Sequence, residues 1–182
     1  MSSPIPIDRK RCKAIEWEMG AQLKVYLETT FFSYLTGRQT SDVIVAHRQA
    51  VTRKWWEDER GKCDLRISAF VLTEAERGDE EQAQLRKNAM QGIAYLETES
   101  VEIKRLASIL MAGHAIPSSE VTDALHIATA AFHEMDVLLT WNCKHMANPY
   151  TLPKTVALLS REGYKCPQIT TPERFMEDMQ DD

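Results

Sequence analysis

Glycine and proline are scarce in this 182-residue chain, seven of each, and no internal repeat is visible, so nothing divides it into several units. Its four cysteines, Cys12, Cys63, Cys143 and Cys166, never fall in a CxxC pair. That spacing argues against zinc and for free thiols in a reduced setting. No hydrophobic run approaches the ~18 residues of a membrane span. The N-terminus carries Asp8, Arg9, Lys10, Arg11 and Lys13 but no apolar stretch, which argues against a secretory signal. A cytoplasmic protein without membrane contact is expected. Positive charge is also short: 22 basic residues stand against 27 acidic ones, a net charge of −5. Phosphate binding rewards Lys and Arg, so any nucleic-acid contact must rest on local basic patches. Neither GxxxxGK nor GxGxxG occurs, which disfavours P-loop and dinucleotide sites.

What is present is a chain 43% apolar, enough for a sizeable core in one domain. Residues 1–22 stand apart as polar and basic, with Pro4 and Pro6. They are either an over-extended start, since Met19 stands just before the first strand, or an ordered arm anchored by Ile15 and Trp17. The domain proper runs over 23–182. LKVYLE (23–28) reads as a strand, followed by Phe31, Phe32, Tyr34 and Leu35 at helical spacing. Residues 42–59 read as an amphipathic helix with Ile44, Ala50, Val51 and Trp55 inward and Arg48, Arg53 and Lys54 outward. LRISAF (65–70) is a second strand. Leu85, Ala89, Met90, Ile93 and Leu96 mark one further helix, and Ile103, Leu106, Ala107, Leu110 and Met111 another. Ser118 or Ser119 is placed to cap a helix whose apolar face includes Val121, Ala124, Leu125 and Ala128. DVLLT (136–140) is a third strand and 153–161 a helix. CPQITTPE gives a short strand, then Thr171 as N-cap and Pro172 in first helical position. Alternating apolar strands and helices predict a parallel sheet covered on both faces. Right-handed crossovers gather the C-terminal strand ends at one edge, where sites form in open α/β sheets.

Four side chains fall just past those apolar runs: Glu28, Glu74, Asp123 and Asn142. Glu28 ends the first strand, and Glu74 is expected to open the helix after the second, with Glu76 competing for its role. Asp123 lies in the first turn of its helix, and Asn142 follows the third strand. Carboxylates crowded together repel unless a cation neutralises them. Oxygen ligands suit Mg²⁺ or Mn²⁺, and such an ion suits phosphodiester hydrolysis. Alone, each acid reads more readily as a solvated group or a cap; the joint pattern lifts the functional reading.

YLETTFFSYL, ISAFVLTEAERGD, VTDALHIATAA and LLTWNCKHMAN resemble, in order and spacing, the signature blocks of PIN domains, most of all the VapC-like toxin branch. The resemblance spans about residues 23–176. It implies a three-layer α/β/α fold around a parallel sheet of four or five strands. It also implies a Mg²⁺- or Mn²⁺-dependent endoribonuclease, homodimerisation, an RNA substrate and inhibition by an antitoxin partner. Carried over, the family's acids fall on Glu28, Glu74, Asp123 and Asn142, with Glu28, Glu74 and Asp123 as metal ligands. Two positions depart from the pattern: Glu28 stands where most relatives carry Asp, and Asn142 removes a charge. One well-held ion is therefore expected in place of two. Thr140 matches a polar position of the last block, and His126 and His145 are accessory candidates for handling a phosphate or a proton. Trp141 is the best base-stacking candidate, while Arg48, Arg53, Lys54, Arg86, Lys87, Lys104 and Arg105 are candidates for phosphate contacts. The competing reading, motivated by Glu28 and Asn142, is a weakly active or inactive PIN-like module that binds RNA or a protein.

Overall fold

The computed structural model describes residues 22–180; Ile15, Trp17 and the rest of 1–21 lie outside the described residues. Five strands form one sheet in the order β3-β2-β1-β4-β5. They are β1 (Leu23–Leu27), β2 (Cys63–Ser68), β3 (Ala94–Leu96), β4 (Val137–Leu139) and β5 (Gln168–Thr170). Every pairing is parallel. Eight helices cover the sheet: α1 (Thr29–Thr36), α2 (Val43–Asp58), α3 (Ala69–Ala75), α4 (Glu80–Ala89), α5 (Val101–Ala112), α6 (Val121–Phe132), α7 (Leu152–Arg161) and α8 (Pro172–Gln180). The result is the expected three-layer α/β/α architecture. Val25, Tyr26 and Leu27 are fully buried, as strands with helices on both faces require.

The strand order fixes where a site can form. From β1 the chain builds outward through β2 and β3 on one side, then returns to lay β4 and β5 on the other. The β1/β4 boundary is thus the point where the winding reverses, and the crevice beyond those two C-terminal ends is the ligand position in such sheets. Register is tight there: Leu27 pairs with Leu139, and the Glu28 amide donates to the Leu139 carbonyl at 3.1 Å.

The aromatic part of the core ties the first helices to the last. Phe31 of α1 packs edge-on against Trp55 of α2, with centroids 5.3 Å apart. Phe175 of α8 meets the same indole at 5.7 Å. Full burial of side chains this size contributes about 1.5–3 kcal/mol each.

Several local expectations change. On α2, Ile44 is 66% exposed and Ala50 is also exposed, while Gln49 and Thr52 are buried with Trp55. The inward face is therefore rotated. Arg53 turns in to bond the carbonyls of Leu35 and Gly37, and Arg48 donates to the Tyr34 hydroxyl. The second strand ends at Ser68, so Ala69 and Phe70 are helical. Ile93 and Leu96 do not extend the helix of Leu85: α4 ends at Ala89 and Leu96 belongs to β3. Neither Ser118 nor Ser119 caps α6, whose N-cap is Glu120. Among the described residues no helix is long and apolar enough to cross a membrane.

Candidate functional site

Glu28 is delivered by the end of β1 into the crevice at the winding reversal. It is 3% exposed, and its Oε2 accepts three hydrogen bonds: from the Thr30 amide at 3.0 Å, the Thr30 hydroxyl at 2.5 Å and the Thr140 hydroxyl at 2.8 Å. The amide bond makes Glu28 the N-cap of α1. Thr30 also accepts from the Trp141 amide at 2.8 Å, so α1 and the segment after β4 are stitched together around this carboxylate. Burial pushes the Glu28 carboxyl above the usual carboxylate range, against the opposing pull of His126, Thr30 and Thr140.

Glu74 lies near the C-terminal end of α3, not at its opening. Its Oε2 accepts from the Thr29 hydroxyl at 2.5 Å and lies 3.0 Å from His126 Nε2. Burial raises this carboxyl, but the His126 ring and the Thr29 hydroxyl outweigh it and hold the group below the usual range. His126, fully buried, spans two partners: its Nδ1 is 2.7 Å from the Tyr26 hydroxyl, which lies 2.6 Å from the Ser68 hydroxyl. With Nε2–H donated to Glu74, Nδ1 accepts from Tyr26 and Tyr26 accepts from Ser68, which satisfies every atom of the relay.

Asp123 sits in the first turn of α6. Its Oδ2 accepts from Asn142 Nδ2 at 2.8 Å and lies 3.1 Å from His145 Nδ1. Burial raises its carboxyl, opposed by His145 and Asn142. Asn142 cannot turn its amide round, because its Oδ1 accepts from the His145 backbone amide at 3.1 Å. Its oxygen is thus engaged in the loop, and Asn142 acts on Asp123 as a donor, not as an oxygen ligand. Thr140 links the two halves: it donates to Glu28 and accepts from the Asn142 amide at 2.9 Å.

Among the described residues two groups of side chains could hold a metal ion: Glu28, Glu74 and His126, and Glu120, Asp123 and His145. Within each group the donor atoms lie within 4.8 Å of one another. The donor chemistry fits a divalent cation. Each group pairs two carboxylates with an imidazole, and in each one acid is pushed upward by burial, a cost that a cation offsets. The structure thus brings Glu28, Glu74 and His126 together, and Asp123 adjoins them through Thr140 and Asn142. Trp141 is 6% exposed, with the Arg48 guanidinium 5.2 Å over its ring, so a base cannot stack there.

Sequence reasoning missed Glu120, Thr29, Thr30, Tyr26 and Ser68. Tyr26 was recoverable, because the two-residue period of a strand puts it on the same side as Glu28. Glu120 precedes Asp123 by three residues, also a same-face spacing.

Comparison with solved structures matches this architecture to VapC20 of Mycobacterium tuberculosis, described as a toxin that cleaves the sarcin–ricin loop. The TM-score is 0.52 at 15% identity, over 68% of this chain and 93% of that one. This is a PIN-domain fold of the VapC kind. VapBC2 of Rickettsia felis, solved with a promoter DNA fragment, gives 0.49 at 16% identity over 67% of this chain and 90% of that one. FitAcB of Neisseria gonorrhoeae gives 0.49 at 13% identity over 81% and 97%. No family model and no curated protein matches the chain.

Proposed function

We propose that this chain is a Mg²⁺- or Mn²⁺-dependent endoribonuclease, the toxin of a type II toxin–antitoxin pair, acting as a homodimer held in check by an antitoxin. The observation that carries the reading is the pairing of buried Glu28 with half-buried Glu74 beyond the β1/β4 boundary, their donor atoms and that of His126 within 4.8 Å of one another, and Asp123 tied in through Thr140 and Asn142. The fold it shares with a toxin described as cleaving the sarcin–ricin loop supports the choice of substrate.

In this mechanism Glu28, Glu74 and Asp123 would hold the ion. Once bound, a divalent cation neutralises charge on a phosphoryl oxygen and acidifies water. The remaining work belongs to the chain. Thr30 and Thr140 fix the Glu28 carboxylate from one side and leave its direction no freedom. His126 and Thr29 keep Glu74 ionised and therefore ready as a ligand. Asn142 and His145 fix the direction of the Asp123 carboxylate. Pre-set oxygen ligands of this kind spend no reorganisation energy at the moment of reaction.

Cleavage of single-stranded RNA with Mg²⁺ or Mn²⁺ tests the assignment. Asp123→Ala is expected to lose at least about a hundredfold in rate, the order seen when one charge-stabilising group is removed. Equal cleavage by wild type and variant sinks it. A second reading, a PIN-like module that binds without cleaving, is favoured by Asn142, which satisfies Asp123 without any ion. Calorimetric titration with Mn²⁺ separates the two, since absence of binding at millimolar metal selects the module.

A further inference from the structure

A cavity of about 250 Å³ opens beside Asp123, between the turn after α5 and the loop that leads into α7. His114, Ala115 and Pro117 form one wall; Lys144, His145, Asn148 and Thr151 form the other. No acidic side chain lines it. At about 30 Å³ per water this is space for roughly eight waters, enough for a phosphodiester group and part of its sugar. His145 belongs to both places: Nδ1 lies 3.1 Å from Asp123 Oδ2 while the ring lines the cavity. The cavity therefore begins where the acid cluster ends.

The donors available inside can be counted. Asn148 is largely engaged in its own loop, donating from Nδ2 to the Lys144 carbonyl at 2.8 Å and accepting at Oδ1 from the Tyr150 amide at 2.9 Å. The start of α7 offers little, because the Leu152 amide bonds the Asn148 carbonyl at 2.9 Å and Pro153 has no N–H. Lys154 holds the opposite wall, its Nζ 3.3 Å from the His114 carbonyl. What remains is the Thr151 hydroxyl, the His114 and His145 rings and, as the one fixed positive charge, the Lys144 ammonium, exposed and in no ion pair among the described residues. Elsewhere among the described residues Lys54, Lys62, Lys87 and Arg105 are committed to carboxylates.

We propose that this cavity is an anion subsite that seats an RNA backbone phosphate neighbouring the one at the acid cluster, with Lys144 as its charge contact. The proposal rests on the ribonuclease reading, and it answers a difficulty that reading creates. An acidic chain whose site is lined by carboxylates repels RNA until a fixed cation beside the site holds the strand. Backbone phosphates take that role in nucleic-acid recognition, where they set position and register.

Fluorescence anisotropy of a labelled single-stranded RNA in EDTA, where no metal-dependent cleavage occurs, tests this on the full chain. Lys144→Ala is expected to weaken binding about fivefold and to reduce the salt slope by about one. Lys144→Glu weakens it further. Arg161→Ala, at the far end of α7, leaves it unchanged. Inorganic phosphate is expected to compete with RNA in the wild type and not in Lys144→Ala. RNA binding indifferent to both Lys144 variants, or no RNA binding by the wild type, overturns the subsite. Competition by phosphate with RNA affinity indifferent to Lys144 means a small-anion site and overturns it equally. A wild type that binds RNA through Lys144 yet cleaves nothing with Mn²⁺ removes the nuclease reading and leaves the subsite standing. A wild type that cleaves, with Lys144→Glu unchanged in KM, does the reverse.

Discussion

Glu28 carries a burden that its neighbours only partly relieve. Its folded pKa lies above the ordinary value near 4.5 because of burial, opposed by His126 and the two threonines. A group raised in this way supports the fold fully below the unfolded value and loses that support as pH climbs through the folded one. Without metal, the ionised form of this carboxylate therefore works against folding. Glu28→Gln keeps an acceptor for Thr30 and Thr140 and removes the buried charge. It is expected to stabilise the metal-free protein by about 1 kcal/mol, a Tm rise of about 2–4 °C for a chain of this length. The same variant should lose any stabilisation by Mn²⁺. Thermal denaturation in EDTA and in Mn²⁺ checks both, and a lower Tm in EDTA counts against the account. Glu74 shows the opposite sign: its contribution is present above its ordinary value and disappears only as pH falls through its lowered folded pKa.

At the scale of elements, misreadings trace to competition for the same side chain. Ser68 is a cap-type residue, yet its hydroxyl goes to Tyr26 and α3 starts without a side-chain cap. With no cap and no breaker in LRISAFVL, the strand-to-helix change at Ala69 leaves no mark on the sequence, so Glu74 was placed a helix-length early. The apolar spacing from Leu85 to Leu96 runs through a helix, a turn and a strand because β3 is only three residues long. Gly92, at φ 81, is the left-handed break that a closer reading would have weighed. The α2 face was rotated because Gln49 and Thr52, polar by composition, have inward partners: Gln49 Nε2 donates to the Arg38 carbonyl at 2.9 Å, and Thr52 accepts from Trp141 Nε1 at 2.8 Å. The α1–α2 junction depends on that packing. A Cβ at Gly37 would lie 2.6 Å from Gln49 Nε2 and 2.9 Å from the Ser33 carbonyl oxygen. Gly37→Ala should cost about 1–3 kcal/mol by overpacking, measurable as a shift in urea midpoint; an unchanged midpoint rules out the tight junction.

At the scale of the whole molecule, the alternation of apolar strands with helices was enough to place a parallel sheet and the edge where acids gather. It was not enough to separate the two clusters, because Glu120 and His145 join Asp123 only once α6 and the loop after β4 pack together. Since Glu28 and Asp123 are both held upward, cation uptake should displace protons from them. Mn²⁺ binding enthalpies in two buffers of different ionisation heat should therefore differ, and affinity should fall as pH is lowered below neutral. Identical enthalpies in both buffers would exclude that coupling.

The central position of β1 has a consequence for synthesis. Tyr26 pairs with Arg66 on one side and Leu138 on the other, so β1 waits for its second neighbour more than a hundred residues downstream. At about 5–20 residues per second that wait lasts on the order of ten seconds. Throughout it the crevice has no second wall, because Thr140, Asn142 and His145 have not yet left the ribosome. Until those residues emerge, Glu28 lacks the Thr140 hydroxyl and Asp123 lacks the Asn142 amide that hold them in the folded protein.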